Sequence, residues 1–269
     1  MKKSLALLTA LVMAIGFTLT GCGDDKNKED TSLADVQANG ELVMGLDDSF
    51  PPMGFRDEDQ NIVGFDVDVA TAVADKLGVE LKLQPIDWNS KEQELSTGNV
   101  DCLWNGFTKT EQREKEMNLS DPYMKNTQVV VVLADSDINS IADLAGKVVD
   151  VQSGSSAELA IDNMPDFKDS VKELVAISDN VKAMMDLGIA GADAVVMDEV
   201  VARYYMEKDP GTYRLLDESL ADEEYVIGFE KNAQSLRDAV QKSLQELAEE
   251  GTLAEISTKW FGQDITTVK

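Results

Sequence analysis

The sequence predicts an α/β fold built as two units with a cleft between them, and three observations predict it. Strand-like and helix-like periodicities alternate from residue 40 onward, the mark of a largely parallel sheet covered by helices. After a continuous β-branched run at residues 128–133 the alternation begins afresh, so the chain holds a second α/β unit. A further extended segment at residues 222–229 precedes a C-terminal helical part, which completes the first unit. Two crossings, near residues 123–130 and 222–229, make a double-strand hinge suited to closing over a ligand. The first lobe is expected at residues 33–124 and 228–269, the second at residues 128–222.

Each element has its own signal. Residues 41–45 form a first strand, and residues 62–65 close a short hairpin whose turn is the acidic run Asp57-Glu58-Asp59-Gln60-Asn61. That run is not a calcium loop, because Ile62 stands where such a loop needs glycine for its sharp turn. Val69, Val73 and Leu77 repeat at helical spacing, and Gly78 sits where a helix-ending glycine belongs. Residues 79–83 read as the next main strand. Ser90-Lys91-Glu92-Gln93 has the form of a capping box, so a helix is expected from Ser90 to about Thr97. Residues 100–104 form a buried strand, and Thr110 opens a short helix. In the second unit residues 140–144, 148–151, 155–164 and 171–177 read as helix, strand, helix, strand. Asn180 is expected to cap a helix to Gly188, before a strand at 193–197 and a helix at 199–208. A late strand at 225–229 precedes a helix carrying Leu236, Val240, Leu244 and Leu247 on one face, which stops at Gly251. A last helix resumes through Leu253, Ile256 and Trp260.

The first 21 residues stand outside the fold. Lys2 and Lys3 precede an apolar run of 15 residues at 5–19, ending in Leu19-Thr20-Gly21-Cys22. A basic start, a short apolar stretch and a small-residue site read as an export signal, and a spanning helix needs about 20 apolar residues. The order Leu, Thr, Gly, Cys resembles the bacterial lipobox, which implies cleavage before Cys22 and lipidation of its sulfur. Two or more acyl chains anchor a protein stably, where one does so marginally. Residues 22–32, polar throughout after Cys22, are expected to be a disordered tether. The expected location is therefore extracytoplasmic, on the outer face of the cytoplasmic membrane or in the periplasm, with the membrane engaged through lipid.

Composition excludes several functions. The chain carries 24 Lys and Arg against 51 Asp and Glu, and loss of the signal removes two of the bases. Such acidity argues against nucleic acid and against polybasic lipid binding. Histidine is absent, which removes Ser-His-Asp triads, Cys-His dyads and histidine-based metal sites together. Cys102, between Asp101 and Leu103 in a strand-like run, reads as a small buried hydrophobe. No catalytic residue, metal or cofactor is expected, and the protein is expected to be a monomer.

Six stretches, in order, carry a resemblance. They are Gly64-Phe65-Asp66-Val67-Asp68-Val69-Ala70, then Asn105-Gly106-Phe107-Thr108-Lys109-Thr110-Glu111-Gln112-Arg113, then Leu119-Ser120-Asp121-Pro122-Tyr123. Asp143-Leu144-Ala145-Gly146-Lys147-Val148-Val149 and Gly191-Ala192-Asp193-Ala194-Val195-Val196-Met197-Asp198 follow, and Gly251-Thr252 with Lys259-Trp260-Phe261-Gly262 closes the set. Across residues 34–262 the sequence resembles the polar amino acid ABC transporter solute-binding proteins. The resemblance implies the two-lobed, type II periplasmic-binding-protein-like fold, and a carrier that captures a free amino acid and hands it to permease subunits.

It also implies a site. Arg113 resembles the residue that grips the ligand α-carboxylate, a role its rigid fork suits. Backbone N–H groups of Thr108 and Ser156 are expected to join it, the latter from the turn Ser153-Gly154-Ser155-Ser156. Asp198 resembles the carboxylate that takes the α-ammonium, helped by the Gly106 carbonyl and the Thr108 hydroxyl. Phe50 and Trp88, with Phe107, match positions that sandwich the ligand side chain, although Trp88 also suits a core position. Asp47, Asn105 and Gln152 match positions that vary with substrate. Asp47, with no lysine or arginine among these positions, favours a polar or cationic ligand side chain such as that of Gln, Lys, Arg, His or cystine. Glu199, opening a helix, reads as a dipole-compensating surface charge. Two other readings share the fold: a ligand-sensing protein, and a cyclohexadienyl-dehydratase-like enzyme, which needs a general acid or base in the cleft.

Overall fold

The structure is a computed structural model, and it describes residues 29–269. The expected signal at residues 1–21, Cys22 and most of the tether lie outside the described residues.

In chain order α1 (Ser32–Asn39) leads into β1 (Glu41–Leu46). A small antiparallel sheet follows, made of β2 (Ser49–Phe50), β3 (Gly54–Arg56) and β4 (Ile62–Val63). Then come α2 (Phe65–Leu77), β5 (Glu80–Pro85), α3 (Lys91–Ser96), β6 (Cys102–Thr108), α4 (Glu111–Glu116) and β7 (Asn118–Leu119). β8 (Met124–Leu133) crosses to the second half, which holds β9 (Val148–Gln152), α5 (Ser156–Asp162), α6 (Pro165–Ser170) and β10 (Glu173–Ile177). That half continues through α7 (Asn180–Gly188), β11 (Ala194–Asp198) and α8 (Glu199–Lys208). β12 (Tyr213–Phe229) crosses back, and α9 (Gln234–Glu249) and α10 (Thr252–Phe261) finish the chain.

Strand pairing explains the cleft. The order β10-β9-β11-β8-β12-β6-β1-β5 puts the two crossing strands in the middle. Strands on either flank pair in parallel, β5 with β1 and β1 with β6, β10 with β9 and β9 with β11. The crossing strands pair antiparallel with each other from Tyr213↔Leu133 to Tyr225↔Met124, with register shifts between Leu215 and Ala221. This is the type II two-lobed architecture with two extended hinge crossings. β6 and β11 are buried at every position, as strands covered on both faces are. In β6, Cys102 and Trp104 face one apolar cluster, while Leu103 and Phe107 face another with Trp88 and Met117. Gly78 ends α2 at φ +74°, its N–H donating to Ala74 and Asp75 carbonyls, as its position after Leu77 predicts.

The structure corrects several element expectations. The chain is already ordered before Ser32: Asp30 accepts hydrogen bonds from Ser32 and from the Ser235 N–H, and α1 starts at Ser32. Ser90 makes no capping box, because Asp87 caps a 3-10 turn first and accepts from the Asn89 N–H (2.9 Å). The capping box forms at Ser140 with Asp143 instead, over a 3-10 segment at Ile141–Leu144. Asp179, not Asn180, caps α7 by accepting from the Lys182 N–H. The expected helix at 155–164 is α5, and the sequence reading lacks the short helix after it, α6, which Pro165 starts where its missing N–H costs nothing. The late strand expected at 225–229 is the end of a strand of 17 residues.

Candidate ligand-binding cleft

The cleft is lined from β6 and the turn after it, from α5 and β11 across the gap, and from the crossing strands. Thr110 caps α4 by accepting from the Arg113 N–H, which sets Arg113 one turn into the helix. The Arg113 guanidinium then folds back over the Phe107 ring at 4.1 Å and donates to the Thr108 carbonyl (2.6 Å). It is only 8% exposed, and among the described residues no carboxylate lies within ion-pair distance of it. Burial pulls its pKa down, while the charges of Glu92, Glu223 and Asp198 oppose that fall. A cavity of about 320 Å³ opens beside it, lined by Lys91, Thr110 and Arg113 from one lobe and Gly154, Ser155 and Glu158 from the other.

Asp198 ends β11 and is buried, with no cation beside it among the described residues. Its Oδ1 accepts from Asn126 Nδ2 (2.7 Å), Gln128 Nε2 (2.9 Å) and the Tyr225 hydroxyl (2.7 Å). Burial, with the charge of Glu223 added, raises its pKa to about 7 in spite of those donors. Glu223 shares the same amides: its Oε2 accepts from Gln128 Nε2 (2.9 Å), Asn126 Nδ2 (3.2 Å) and the Thr108 hydroxyl (2.9 Å). Ser156 Oγ, from the opposite lobe, stands 3.0 Å from Thr108 Oγ1 and 3.2 Å from Glu223 Oε2.

A second polar group occupies the other end. Asp47, at the end of β1, accepts from the Ser49 N–H and from Gln152 Nε2 (2.6 Å), a contact between the lobes. Gln152 Oε1 accepts from Asn180 Nδ2 (3.1 Å), and Asn105 Oδ1 accepts from the Asp47 N–H (3.1 Å). Asn105 Nδ2 and Asn180 Oδ1 are buried without partners. Burial drives the Asp47 pKa up to about 6, helped by the Asp179 and Asp48 charges and opposed by Gln152 and Ser49.

The aromatic residues divide. Phe50 lies against Gly106, where an added Cβ would meet Phe50 Cε1 at 2.9 Å and where φ is +56°. The Gly106 N–H donates to the buried Asp66 (2.7 Å), as does the Tyr123 hydroxyl (3.0 Å), and burial holds the Asp66 pKa at about 7. Trp88 packs edge-on against Phe107 (6.0 Å) within an apolar cluster, so both are part of the floor under Arg113. Burial pushes the Cys102 thiol pKa up, in keeping with a buried hydrophobe. Glu199 bonds Arg203 one turn along α8.

The structure thus gathers Gly106, Thr108, Arg113, Ser156 and Asp198 at one end and Asp47, Asn105, Gln152 and Phe50 at the other. Sequence reasoning missed Glu223, Asn126, Gln128, Tyr225 and Asn180. Strand alternation held a signal for four of them: Asn126 and Gln128 on β8, and Glu223 and Tyr225 on β12, share one face of the paired crossings.

A hinged pair of α/β lobes, with an unpaired cation and unpaired anions facing one gap, defines a solute-binding protein. The chain belongs to the bacterial extracellular solute-binding proteins, family 3, whose family model matches residues 42–263. It is 33% identical over 264 residues to the arginine-binding extracellular protein ArtP of Bacillus subtilis (strain 168), covering 97% of this chain and 98% of ArtP. The crystal structure of Tv2483 bound to L-arginine superimposes with a TM-score of 0.85 at 31% identity, over 90% of this chain and 98% of that one. A substrate-binding protein of an ABC uptake transporter from Streptococcus pneumoniae, with bound histidine, gives 0.85 at 35% identity, over 88% and 98%.

Proposed function

We propose that this chain captures a free amino acid outside the cytoplasm and delivers it, unaltered, to the permease subunits of an ABC importer. The observation that carries this reading is the pair of buried, opposite, unmatched charges in one cleft, Arg113 on one lobe and Asp198 on the other. A zwitterion satisfies both at once. Its α-carboxylate lies on Arg113 and the backbone N–H groups of Thr108 and Ser156. Its α-ammonium lies on Asp198, the Gly106 carbonyl and the Thr108 hydroxyl.

At the other end Asp47 favours a ligand side chain that donates or carries positive charge, since a buried carboxylate without a cation is costly and a ligand cation relieves it. The arginine named for ArtP and Tv2483 and the histidine of the pneumococcal protein fit that reading. The titratable groups of the cleft have binding partners to serve, so the protein is read as a carrier and not an enzyme. A thermal-shift screen of the soluble part, residues 23–269, against the twenty amino acids, cystine and ornithine tests the function. The preferred ligand at a hundredfold excess over Kd stabilises the fold by about 2.7 kcal/mol. Flat melting curves with every compound would sink the reading.

The same reading places the monomer on the membrane through lipid on Cys22. Cys22→Ala is expected to release the protein from the membrane fraction or to leave its signal uncleaved. Normal processing with full membrane retention rules the lipid anchor out.

A further inference from the structure

We infer that Glu223, on the second crossing strand, is a positioning residue for the ligand α-ammonium: it fixes the donors around Asp198 so that only acceptors face the ammonium. The inference rests on the amino-acid-binding reading and goes one step past it.

Three groups of contacts carry it. The Thr108 hydroxyl has one hydrogen and two lone pairs. Its hydrogen goes to Glu223 Oε2 at 2.9 Å, so what it offers elsewhere is a lone pair, the form an ammonium needs. Ser156 Oγ, from the opposite lobe, donates to Thr108 Oγ1 at 3.0 Å and takes one of its two lone pairs, leaving the other; it also stands 3.2 Å from Glu223 Oε2. The amides of Asn126 and Gln128 then point both sets of N–H groups at the two carboxylates, Asp198 and Glu223. Their carbonyl oxygens, Asn126 Oδ1 and Gln128 Oε1, are left buried and without partners. Without Glu223 the Thr108 hydrogen and the amide donors are free to turn toward the ammonium and repel it.

Position adds a second consequence. Glu223 pairs with Asn126 across the two crossing strands, so the group that orients the ammonium acceptors sits on the hinge and not on either lobe. Its oxygen collects hydrogen bonds from β6 of one lobe and α5 of the other, so it ties both lobes to the hinge.

The test compares amino acids with counterparts that lack the α-ammonium. Full-length wild-type protein in detergent, Glu223→Gln and Glu223→Ala are titrated calorimetrically with L-arginine, L-histidine, L-glutamine and L-cystine. Each is paired with its deamino counterpart: guanidinovalerate, imidazolepropionate, glutaramate or dithiodipropionate. Wild-type protein is expected to prefer one amino acid over its counterpart, and that preference is expected to fall about tenfold or more in Glu223→Ala and less in Glu223→Gln, which keeps one acceptor oxygen. A role in stability or closure alone weakens both members of a pair equally, so an unchanged or increased preference in both variants overturns the inference while leaving amino-acid binding intact. Wild-type protein that binds none of the four overturns the binding reading, and this inference with it.

Discussion

Arg113 and Asp198 carry the energetics that single residues decide. Hydrogen bonds to charged groups contribute roughly 1.5–3 kcal/mol, and stranding one member of a buried pair costs about 3–5. Arg113→Ala is therefore expected to lower affinity on the order of a hundredfold or more for whichever amino acid binds, and near-normal affinity by calorimetry would show the site to be misassigned. Asp198→Asn is expected to weaken binding as strongly while keeping the fold. The raised pKa values give the sign of the pH dependence. Asp198 at about 7, above its ordinary 3.8, holds a proton in the folded protein that the unfolded chain has released. Its contribution to stability is thus present at acid pH and lost as pH rises through about 7. Asp47 at about 6 and Asp66 at about 7 act in the same direction, so the ligand-free protein is expected to melt at a lower temperature at pH 8 than at pH 5. Binding runs the other way: an ammonium pairs with ionised Asp198, so affinity rises with pH up to about 7 and protons are released on binding below it. Calorimetry in buffers of different ionisation enthalpy measures that release, and none at pH 6 would contradict the assignment. Arg113, Thr108 and Asp198 are named from the sequence through the family resemblance, whose contiguous stretches run to the end of β6 and into α4 for the first two and to the end of β11 for the third. Glu223 is not, because it stands in the acidic run Asp222-Glu223-Glu224, where composition alone says solvent and only the pairing of β12 with β8 turns one of the three inward.

Among elements, β6 does the most to build the cleft, and its bend at Gly106 is the point where it is most exposed to change. A side chain there is disfavoured twice, by the φ of +56° and by Phe50 Cε1 at 2.9 Å with Tyr225 Cζ at 3.1 Å. Both are site neighbours, so the damage does not stay local. Gly106→Ala is expected to cost about 1–3 kcal/mol of stability and to displace the carbonyl proposed for the ammonium. A melting temperature and an affinity both equal to wild type would contradict this. Hydrophobic periodicity made the main strands and helices readable, since a buried face leaves its mark whatever surrounds it. Caps were read less well because two adjacent polar residues compete for one role. Asp179 wins at α7 and frees Asn180 for Gln152, and Asp87 wins ahead of Ser90. α1 was not read at all: Val36 is its only buried residue, so its period is faint, and it is held by α9 and by Asp30 with Ser235.

At the scale of the whole molecule, the contacts between the lobes describe a closed clamshell. Asp47 meets Gln152 at 2.6 Å, Lys91 Nζ donates to the Gly154 carbonyl at 2.8 Å, and Phe55 packs against Tyr204 with ring centroids 5.6 Å apart. The polar contacts among these are replaceable by water, while apolar packing also spans the lobes, since one buried cluster takes in Phe50 and Met53 of the first and Met184, Leu187 and Val201 of the second. Closure without ligand also buries Arg113, Asp198 and Asp47 unmatched, which favours opening. A zwitterion reverses that balance by matching the charges from both sides, and a ligand shifts a two-state equilibrium only by its differential affinity for the two states. Opening needs rotation of one lobe on β8 and β12, and the register shifts between Leu215 and Ala221 supply irregular backbone in β12 where the change in twist can be absorbed. Small-angle scattering of residues 23–269 is accordingly expected to give a larger radius of gyration without ligand than with the amino acid identified by thermal shift. Gln152→Ala, which removes one contact between the lobes while leaving the Arg113 and Asp198 ends in place, is expected to keep the protein open at ligand concentrations that close the wild type. An equal radius with and without saturating ligand would mean that the two crossing strands are a rigid brace and not a hinge.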